Sequence, residues 1–554
     1  MDLDAGSLTG ATTPGPPDRP HAPRSGWPDR VLLGILALAA LGVVLAGVRS
    51  DLFDLDRHSV PKELIVHAAA LLALPFLLGG LRRIEAGIIS CLLAAFIAWS
   101  GLSFLFATNH WIAFRAFGLS VSGFILFLAA RRIRRNRGAD GLVKALVAAV
   151  TTGALIGAAQ AYGLDLPWLA DERAPGGTFG NRNFLAHLIA IALPALALIA
   201  LRTRAKGSRV ALIALAVCTD AIVLTRSRAG WLAVAASAAV AVVTLLAMRR
   251  GTRPDRRRLL AIAAACAAGA LAAIVLPNTL EWRSDSPYAE TLRRITEYRS
   301  GSGHGRLVQY RNSLRLVARD PIFGAGPGNW FINYPLVTTT SDPSFASADP
   351  IPTNPWPSSD YIALLVERGP LGLALTLCAG LSIFIAGWLR LRTPPPLVRL
   401  PDEPPPDDPL EIATLFAILA AAFTAGAFDA VLLNPAPLFF VATLAGALAP
   451  DTRPLVSWAP SRRLRAGAAA ATTLFLGGLV AHSSLQLRSI HLTAASQSRV
   501  TVERALRLDP GNYRLRLLLA RNGPCSRRIP HARAAARLLP HHDAPARALR
   551  ACGA

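Results

Sequence analysis

A short polar stretch, TRSRAGW at residues 225–231, separates two apolar runs and leaves almost no loop between them. Its two arginines lie at the edge of apolar sequence, where an ionisable group is costly enough to indicate a function. A guanidinium donates paired hydrogen bonds to phosphate oxygens and stays charged. We therefore interpret Arg228 as a catalytic phosphate-binding candidate. Arg226 is a substrate-binding candidate, for which anchoring to lipid phosphate is the favoured alternative.

A second polar stretch, GGTFGNRNF at residues 176–184, comes directly before another apolar run. Its glycines allow a tight loop, and backbone N–H groups at the start of a following helix can hold an anion. Asn181 and Asn183 are therefore candidates for substrate binding. The alternative is a simple re-entry turn in which an asparagine caps the helix.

A third set of polar residues falls in a long segment between apolar runs. His304 and Arg306 lie in the sequence GHGR, which opens a predicted helix over 307–319. The glycine-rich sequence GAGPGNW follows at 324–330, and NPWPSSDY follows at 354–361. The glycines do not follow a strand, and the chain has no Walker A, HExxH or GxSxG motif. This segment therefore carries His304, Arg306 and Asp360 as polar residues beside the apolar runs.

The elements that must position these residues are membrane helices. The chain is 53% hydrophobic and only 17% charged over 554 residues, and its apolar residues fall into runs long enough to cross about 30 Å of hydrocarbon. The sequence predicts an all-α polytopic membrane protein of about 13 (12–13) spans. The predicted spans cover 31–48, 64–81, 86–106, 113–130, 142–159, 184–201, 210–225, 229–248, 259–276, 366–389, 411–428, 435–449 and 466–482.

The formal charge of +24 does not indicate nucleic-acid binding, because the arginines cluster in short loops between apolar runs. Positive charge next to a span favours the cytoplasmic side. All the dense clusters fall on one side if the amino terminus is cytoplasmic, which places the carboxyl terminus in the periplasm. These clusters are at 82–83, 131–137, 202–209, 249–258 and 462–463.

The predicted domain organisation follows from this topology. Residues 1–30 read as a disordered cytoplasmic leader, and residues 31–482 as the transmembrane domain with a long external loop at 277–365. A proline-rich cytoplasmic linker covers 390–410. In the external tail, 483–554, the sequence ALRLDP recurs as AARLLP thirty residues later, which resembles one or two degenerate tetratricopeptide-type helical hairpins. We expect the tail to pack on the membrane domain or on a protein partner.

The chain has six cysteines. Cys525 and Cys552 in the tail either pair as a disulfide or stay free, which the sequence does not decide. The other four lie in apolar runs and are expected to be small core residues. No Cys or His pattern has the spacing of a metal site, so we predict no bound metal and no cofactor.

The order of these motifs resembles the O-antigen ligase/polymerase superfamily. The resemblance rests on GTFGNRNF, then TRSRAG, then GRLVQYRNSLRLVARDPIFGAGPGNW, then a polar motif before Glu367-x-Gly369-x-x-Gly372. It covers most of residues 90–450, including Asn109-His110-Trp111 before Arg115.

The resemblance implies a membrane-embedded glycosyltransferase of the bacterial inner membrane. Such an enzyme takes a glycan from an undecaprenyl-diphosphate carrier at the outer face and passes it to an acceptor hydroxyl of a lipid, glycan or protein, without a metal. Arg228 and Arg306 match the arginines that would grip the diphosphate. Arg311, Arg115 and Tyr361 are weaker substrate-binding candidates.

One departure concerns the base. Family members commonly carry a histidine-asparagine pair that is proposed to activate the acceptor hydroxyl, whereas this chain reads Ser358-Ser359-Asp360. Serine is not a general base near neutral pH. The resemblance therefore leaves Asp360 or His304 as the substitute.

Three functional classes remain open at this point. Ligases and polymerases share these motifs, so the acceptor is not determined. A transporter of a lipid-linked glycan would show two paired halves and charge near the membrane midplane, and the predicted spans are nearly free of such charge. A non-catalytic envelope-assembly scaffold, with the tail as its docking site, would not need paired external arginines.

Overall fold

The structure, a computed structural model, describes residues 26–50, 52–53, 55–79, 83–166, 168–169, 174–248, 253–282, 284–299, 301–338, 342, 345–346, 349–352, 355–393 and 408–554. Most of the predicted leader and of the proline-rich linker lies outside these ranges. So do parts of the arginine clusters at 82–83 and 249–258, and Asn354.

Twelve of the described helices are long and apolar enough to cross a membrane. The prediction of an all-α polytopic membrane protein is therefore confirmed. The twelve are α1 (Trp27–Leu45), α2 (Asp56–Leu78), α3 (Ile88–Leu105), α4 (His110–Arg137), α5 (Asp140–Ala161), α6 (Arg182–Arg202), α7 (Ala205–Thr225), α8 (Arg228–Ala247), α9 (Arg256–Val275), α13 (Asp360–Arg392), α14 (Pro409–Phe428) and α16 (Arg462–Ala495).

The thirteenth predicted span is a shorter helix, α15 (Pro435–Leu448), of 14 residues. At 1.5 Å per residue it rises roughly 21 Å, which is less than the thickness of the hydrocarbon core. Its last turn contacts arginines at the end of α4, through Arg134 to the Ala447 carbonyl and Arg131 to the Ala449 carbonyl. The turn before α15, residues 429–434, is therefore recessed into the bundle.

Several helices differ from their predicted bounds, and three of them need comment. Helix α2 begins at Asp56, because its polar first turns pack inside the bundle, where Lys62 and Glu63 are buried. Helix α13 contains a kink at Gly369, where φ is 69°, and Pro370 follows, which removes a helical N–H. Helix α16 continues to Ala495, since no helix-breaking residue interrupts it, so the predicted tail boundary at residue 483 falls inside this helix.

The arginine-rich loops lie together at one end of the bundle, which we call the arginine-rich end. Arg131 pairs with Asp451 at 2.7 Å and Arg132 with Asp29 at 3.0 Å. Arg202 pairs with Asp140 at 2.9 Å, linking α5 and α6. The strands β1 (Ile84–Gly87) and β4 (Pro454–Trp458) form a small antiparallel sheet before α3 and α16. Which side of the membrane this end faces stays a prediction.

The long segment between α9 and α13 lies at the opposite end, which we call the long-loop end. It holds three helices rather than only the predicted one, and a short antiparallel pair. These are α10 (Pro287–Arg293), α11 (Gly301–Arg319), α12 (Trp330–Asn333), β2 (Phe345–Ala346) and β3 (Asp349–Pro352).

The tail also lies at the long-loop end and packs on the membrane domain. Its helices are α17 (Arg499–Leu508), α18 (Tyr513–Arg521), α19 (Cys525–Leu538) and α20 (Asp543–Arg550), and successive helices pack on one another. A disulfide joins Cys525 and Cys552. The Trp111 indole donates to Asp509 at 2.8 Å, and the adjacent Gly511 has no room for a side chain, since an added Cβ would lie 2.0 Å from that indole. The tetratricopeptide assignment stays a prediction.

Candidate functional site

Arg228 is positioned by a tight turn between α7 and α8. Arg226 closes this turn with a left-handed φ of 51°, and the Ser227 hydroxyl caps α8 by accepting from the Gly230 N–H at 3.2 Å. The turn therefore places Arg228 at the first position of α8, at the long-loop end. Its half-buried guanidinium donates to the Arg294 carbonyl at 2.5 Å.

Arg226 points away from this position and is held by its surroundings. Its guanidinium donates to the Thr291 hydroxyl at 2.8 Å, approaches Glu290 at 3.5 Å and lies 4.5 Å from the centre of the Trp282 ring. Burial lowers the pKa of Arg226, and Glu290 opposes that shift. These contacts join the α7–α8 turn to α10, which favours a structural role over substrate binding.

Arg306 belongs to the face of α11 that packs on the bundle. The next turn of this face carries Gln309, which accepts from the Ser358 N–H at 2.7 Å, and Tyr310, whose hydroxyl donates to the Ala427 carbonyl at 3.0 Å. Burial raises the pKa of Tyr310 to about 12, so it remains a neutral donor. Residues three and four apart share a helix face, so Arg306 is directed to the same region and is half-buried there.

Arg306 and Arg228 are close enough to interact electrostatically, Arg294 adds a third positive charge near Arg228, and Glu297 adds a negative one. Among the described residues, no carboxylate forms an ion pair with Arg306 and no acceptor forms a hydrogen bond with it. Like charges that are partly removed from water repel one another. An anion bound between the two arginines would relieve that repulsion and accept their hydrogen bonds.

Asp360 is placed for structure rather than for proton transfer. Its carboxylate is only 2% exposed and accepts from the Val431 N–H at 3.0 Å and the Leu432 N–H at 2.9 Å. Both oxygens thus hold the turn between α14 and α15 against the start of α13. A base must reach the proton that it removes, so this geometry disfavours the predicted role of Asp360.

Two further candidates are not brought to the arginines. His304 is exposed and lies two positions before Arg306, so the two side chains leave α11 in different directions. Arg311 is exposed on the same helix. Their predicted roles gain no support from these positions.

The asparagine-rich loop contributes one side chain to the site. Asn181 caps α6, since its side chain accepts from the Asn183 N–H at 2.9 Å. The Gly177 N–H is occupied by the Gln160 side chain at 2.9 Å, and the Thr178 carbonyl accepts from Lys62 at 2.9 Å. These contacts favour the re-entry turn over an anion-binding loop. Asn183, by contrast, is half-buried and donates to Asp429 at 3.4 Å.

The remaining candidates, Arg115 and Tyr361, lie elsewhere at the long-loop end. Arg115 binds Glu63 at 2.8 Å and Asp56 at 3.2 Å, so its charge is already compensated. The Tyr361 hydroxyl donates to the Phe423 carbonyl at 2.9 Å, which fixes α13 to α14.

Arg115 lines a cleft that encloses about 980 Å³ of empty space, part of it open to solvent. Three carboxylates and three guanidiniums line this cleft and balance in charge, and aromatic rings cover other parts of its wall. The charged residues are Asp56, Glu63, Glu367, Arg115, Arg368 and Arg514, and the rings are Phe331, Trp356 and Tyr513. Leu432, Leu433 and Asn434, which follow Asp429 in the chain, line the cleft as well.

Sequence reasoning missed Asp429 and His187. Asp429 is the residue after α14, and nothing in the preceding apolar run marks it as more than a cap. His187 lies one turn after Asn183 inside the apolar sequence of α6 and is fully buried. The i, i+4 spacing of Asn183 and His187 could have indicated that the two side chains share one face of α6. Buried ionisable residues also lie in the first half of α2, among them Lys62, Glu63 and His67.

Residues 210–377 match the family model described as O-Antigen ligase. The match runs from within α7 to within α13, and so includes both arginines of the site and the kink at Gly369. No curated protein matches the chain. The matched domain is of the O-antigen ligase type and supports the resemblance of this multi-pass membrane protein to the O-antigen ligase superfamily, whose chemistry is membrane glycosyl transfer.

Proposed function

We propose that the protein transfers a glycan from an undecaprenyl-diphosphate carrier to an acceptor hydroxyl, and that Arg228 and Arg306 bind the diphosphate. One observation carries this proposal. The half-buried Arg306 has no ion pair among the described residues, although it lies close to a second cation, Arg228. Paired guanidiniums match the geometry and the charge of a diphosphate.

The two arginines would stabilise the diphosphate as it leaves. When the bond between the sugar and the diphosphate breaks, negative charge develops on the phosphate oxygens. Fixed cations that already point to this position lower the barrier without reorganising. No metal is needed for this role, since the guanidiniums carry the compensating charge.

The cleft is our proposed site for the acceptor. Its charges balance, so it suits a neutral polyhydroxyl compound rather than a strongly charged one, and its rings offer apolar faces to sugar rings. The Trp356 ring lies 6.2 Å from that of Phe184, which is next to Asn183. The cleft therefore adjoins Asn183 and, through it, Asp429.

The arginine-rich end would then face the cytoplasm of a bacterium, and the long-loop end the outside of the inner membrane. The distribution of arginine supports this orientation. A protein partner recruited through the tail stays a prediction, because the described tail surface shows only its packing on the membrane domain.

The test uses purified protein in nanodiscs with an undecaprenyl-diphosphate donor that carries a labelled glycan. We expect Arg228→Ala and Arg306→Ala each to lower kcat by about 10²- to 10³-fold, as the loss of one fixed donor to a developing oxyanion does. The matched control is Arg315→Ala, which removes an exposed arginine from the same helix as Arg306. A ladder of products would indicate a polymerase and single addition a ligase. Full activity in both site variants would refute the proposal.

A further inference from the structure

Asp429 is a carboxylate beside the proposed donor site with weak hydrogen bonding at one oxygen. Its Oδ1 accepts from the Ala430 N–H at 2.9 Å. Its Oδ2 accepts from the Asn183 side chain at 3.4 Å, which is long for a hydrogen bond. The residue is half-buried, in the recessed turn between α14 and α15.

The packing of α11 brings Asp429 to the arginine side of the site. Tyr310 donates to the Ala427 carbonyl, two residues before Asp429, and Arg306 lies one turn before Tyr310 on the same face. Arg306 and Asp429 both interact electrostatically with Tyr310 and with His187. No ion pair joins Arg306 and Asp429 among the described residues, so the two groups face one region without neutralising each other by direct contact.

The other carboxylates of this region are engaged. Glu290 pairs with Arg294 at 2.8 Å and approaches Arg226 at 3.5 Å. Glu297 lies 3.9 Å from Arg294 and also interacts electrostatically with Arg228. The oxygens of Asp360 are filled by backbone N–H groups. Asp429 is therefore the carboxylate whose geometry best leaves an oxygen for a substrate proton.

We propose that Asp429 is the general base that activates the acceptor hydroxyl, in the role for which this chain has no histidine at residues 358–359. The inference rests on the proposed function. The acceptor O–H proton passes to Asp429 Oδ2, and the acceptor oxygen attacks the anomeric carbon of the donor sugar. The bond from that carbon to the diphosphate oxygen breaks, and the diphosphate leaves with the electron pair. The proton on Asp429 then returns to solvent or to the released diphosphate.

Asn183 and the recessed turn would position this base. The Asn183 amide holds Oδ2 from the side of α6, and Leu432 to Asn434 carry the same turn into the wall of the cleft. Asp429 would thus stand between the proposed acceptor site and the arginines. This is the placement that a base needs in order to take a proton from one substrate while the other loses its diphosphate.

The test compares Asp429→Asn and Asp429→His with the wild type for transfer and, separately, for binding of the labelled undecaprenyl-diphosphate donor. We expect Asp429→Asn, which is isosteric and keeps the Oδ1 acceptor, to lower kcat by about 10²- to 10⁴-fold. Donor affinity should change by less than about threefold, since the arginines remain. Asp451→Asn, at the arginine-rich end, is the matched control and should keep its activity.

The pH profile separates a base from a structural residue. The charged or titratable groups around Asp429 are His187 on α6, Arg306 and Tyr310 on α11 and Asp360 on α13. An imidazolium group loses its proton at a higher pH than a carboxylic acid does. We therefore expect Asp429→His to recover part of the activity, with the acidic limb of the kcat profile displaced to higher pH.

Three outcomes are distinguishable. Full transfer by Asp429→Asn in an assay where the wild type is active would overturn the inference and leave the proposed function intact. Loss of donor binding by Asp429→Asn to the same degree as by Arg306→Ala would also overturn it, since Asp429 would then only position the arginine. A wild type that binds but transfers no lipid-linked glycan would refute the proposed function itself.

Discussion

The first prediction concerns Asp360. The sequence suggests that this residue is a base, whereas its hydrogen bonds in the structure indicate that it holds a turn in place. Its buried carboxylate accepts the Val431 and Leu432 N–H groups at 3.0 and 2.9 Å. Asp360→Asn keeps one acceptor but turns an amide N–H toward the other backbone donor. Asp360→Ala removes both acceptors.

The magnitude follows from these two bonds. A hydrogen bond to a charged group contributes about 1.5–3 kcal/mol, and a buried donor left without a partner costs about 1–3 kcal/mol. We therefore expect Asp360→Asn to lower the free energy of unfolding by about 2–3 kcal/mol and Asp360→Ala by about 3–6 kcal/mol. Transfer per folded molecule should fall much less than in the arginine variants.

The assay measures the midpoint of thermal denaturation in detergent, by size exclusion, together with transfer by the folded fraction. Gly426→Ala provides an independent perturbation, because an added Cβ would lie 2.6 Å from Asp360 Oδ2 and would displace the carboxylate without removing it. All three substitutions, Asp360→Asn, Asp360→Ala and Gly426→Ala, should lower the midpoint. An unchanged midpoint with abolished transfer in Asp360→Asn would show that Asp360 is a base and that the structural reasoning fails.

Two further predictions concern the tail and the arginine-rich end. Trp111→Phe removes the hydrogen bond from the indole to the buried Asp509 carboxylate. Docking of the tail should therefore weaken by about 1–3 kcal/mol, and trypsin should cleave the tail faster. An unchanged cleavage rate would contradict this prediction. At the other end, burial by itself would raise the pKa of Asp451. Its hydrogen bond to Arg135 and the charges of Arg131 and Arg135 lower the pKa by more, so the net effect is a lowered pKa. Its contribution to stability is therefore complete above the ordinary carboxyl pKa and is lost as the pH falls through the lower folded-state pKa. Asp451→Asn should destabilise at neutral pH by at most about 1 kcal/mol, since the carboxylate is 45% exposed, and the difference from wild type should vanish in acid; a difference that grows in acid would contradict the assignment.

The membrane architecture could be predicted from the sequence because it depends on local composition. A run of about 20 apolar residues crosses the hydrocarbon core whatever its neighbours are. The ends of the helices are harder to predict, because they depend on partners. Asp56 to Glu63 extend α2 since Arg115 on α4 binds both carboxylates, and these residues are distant in the chain.

Arg226 and Arg228 were also found from the sequence, since a cation at the edge of an apolar run is unusual in itself, whereas Arg306 was identified through the resemblance. The different surroundings of Arg226 and Arg228 could not be predicted from the sequence, because the two residues are only two positions apart. The left-handed turn directs Arg226 to Glu290 and Trp282, and directs Arg228 to the carbonyl of Arg294.

The sequence alone thus determined the all-α membrane class of the protein, the approximate number of its spans and, through the resemblance, the pair of arginines proposed to act on a diphosphate. Only the tertiary structure decided which carboxylate of this region keeps an oxygen available for a substrate. Asp360 lies in a recognisable motif, yet its two oxygens accept hydrogen bonds from the backbone of the turn at 431–432. Asp429 follows an apolar run that has no recognisable motif, and it accepts a hydrogen bond from Asn183, which is 246 residues away in the sequence. Hydrophobic span length is a local property of the chain, but the availability of a carboxylate oxygen depends on which distant groups pack against it.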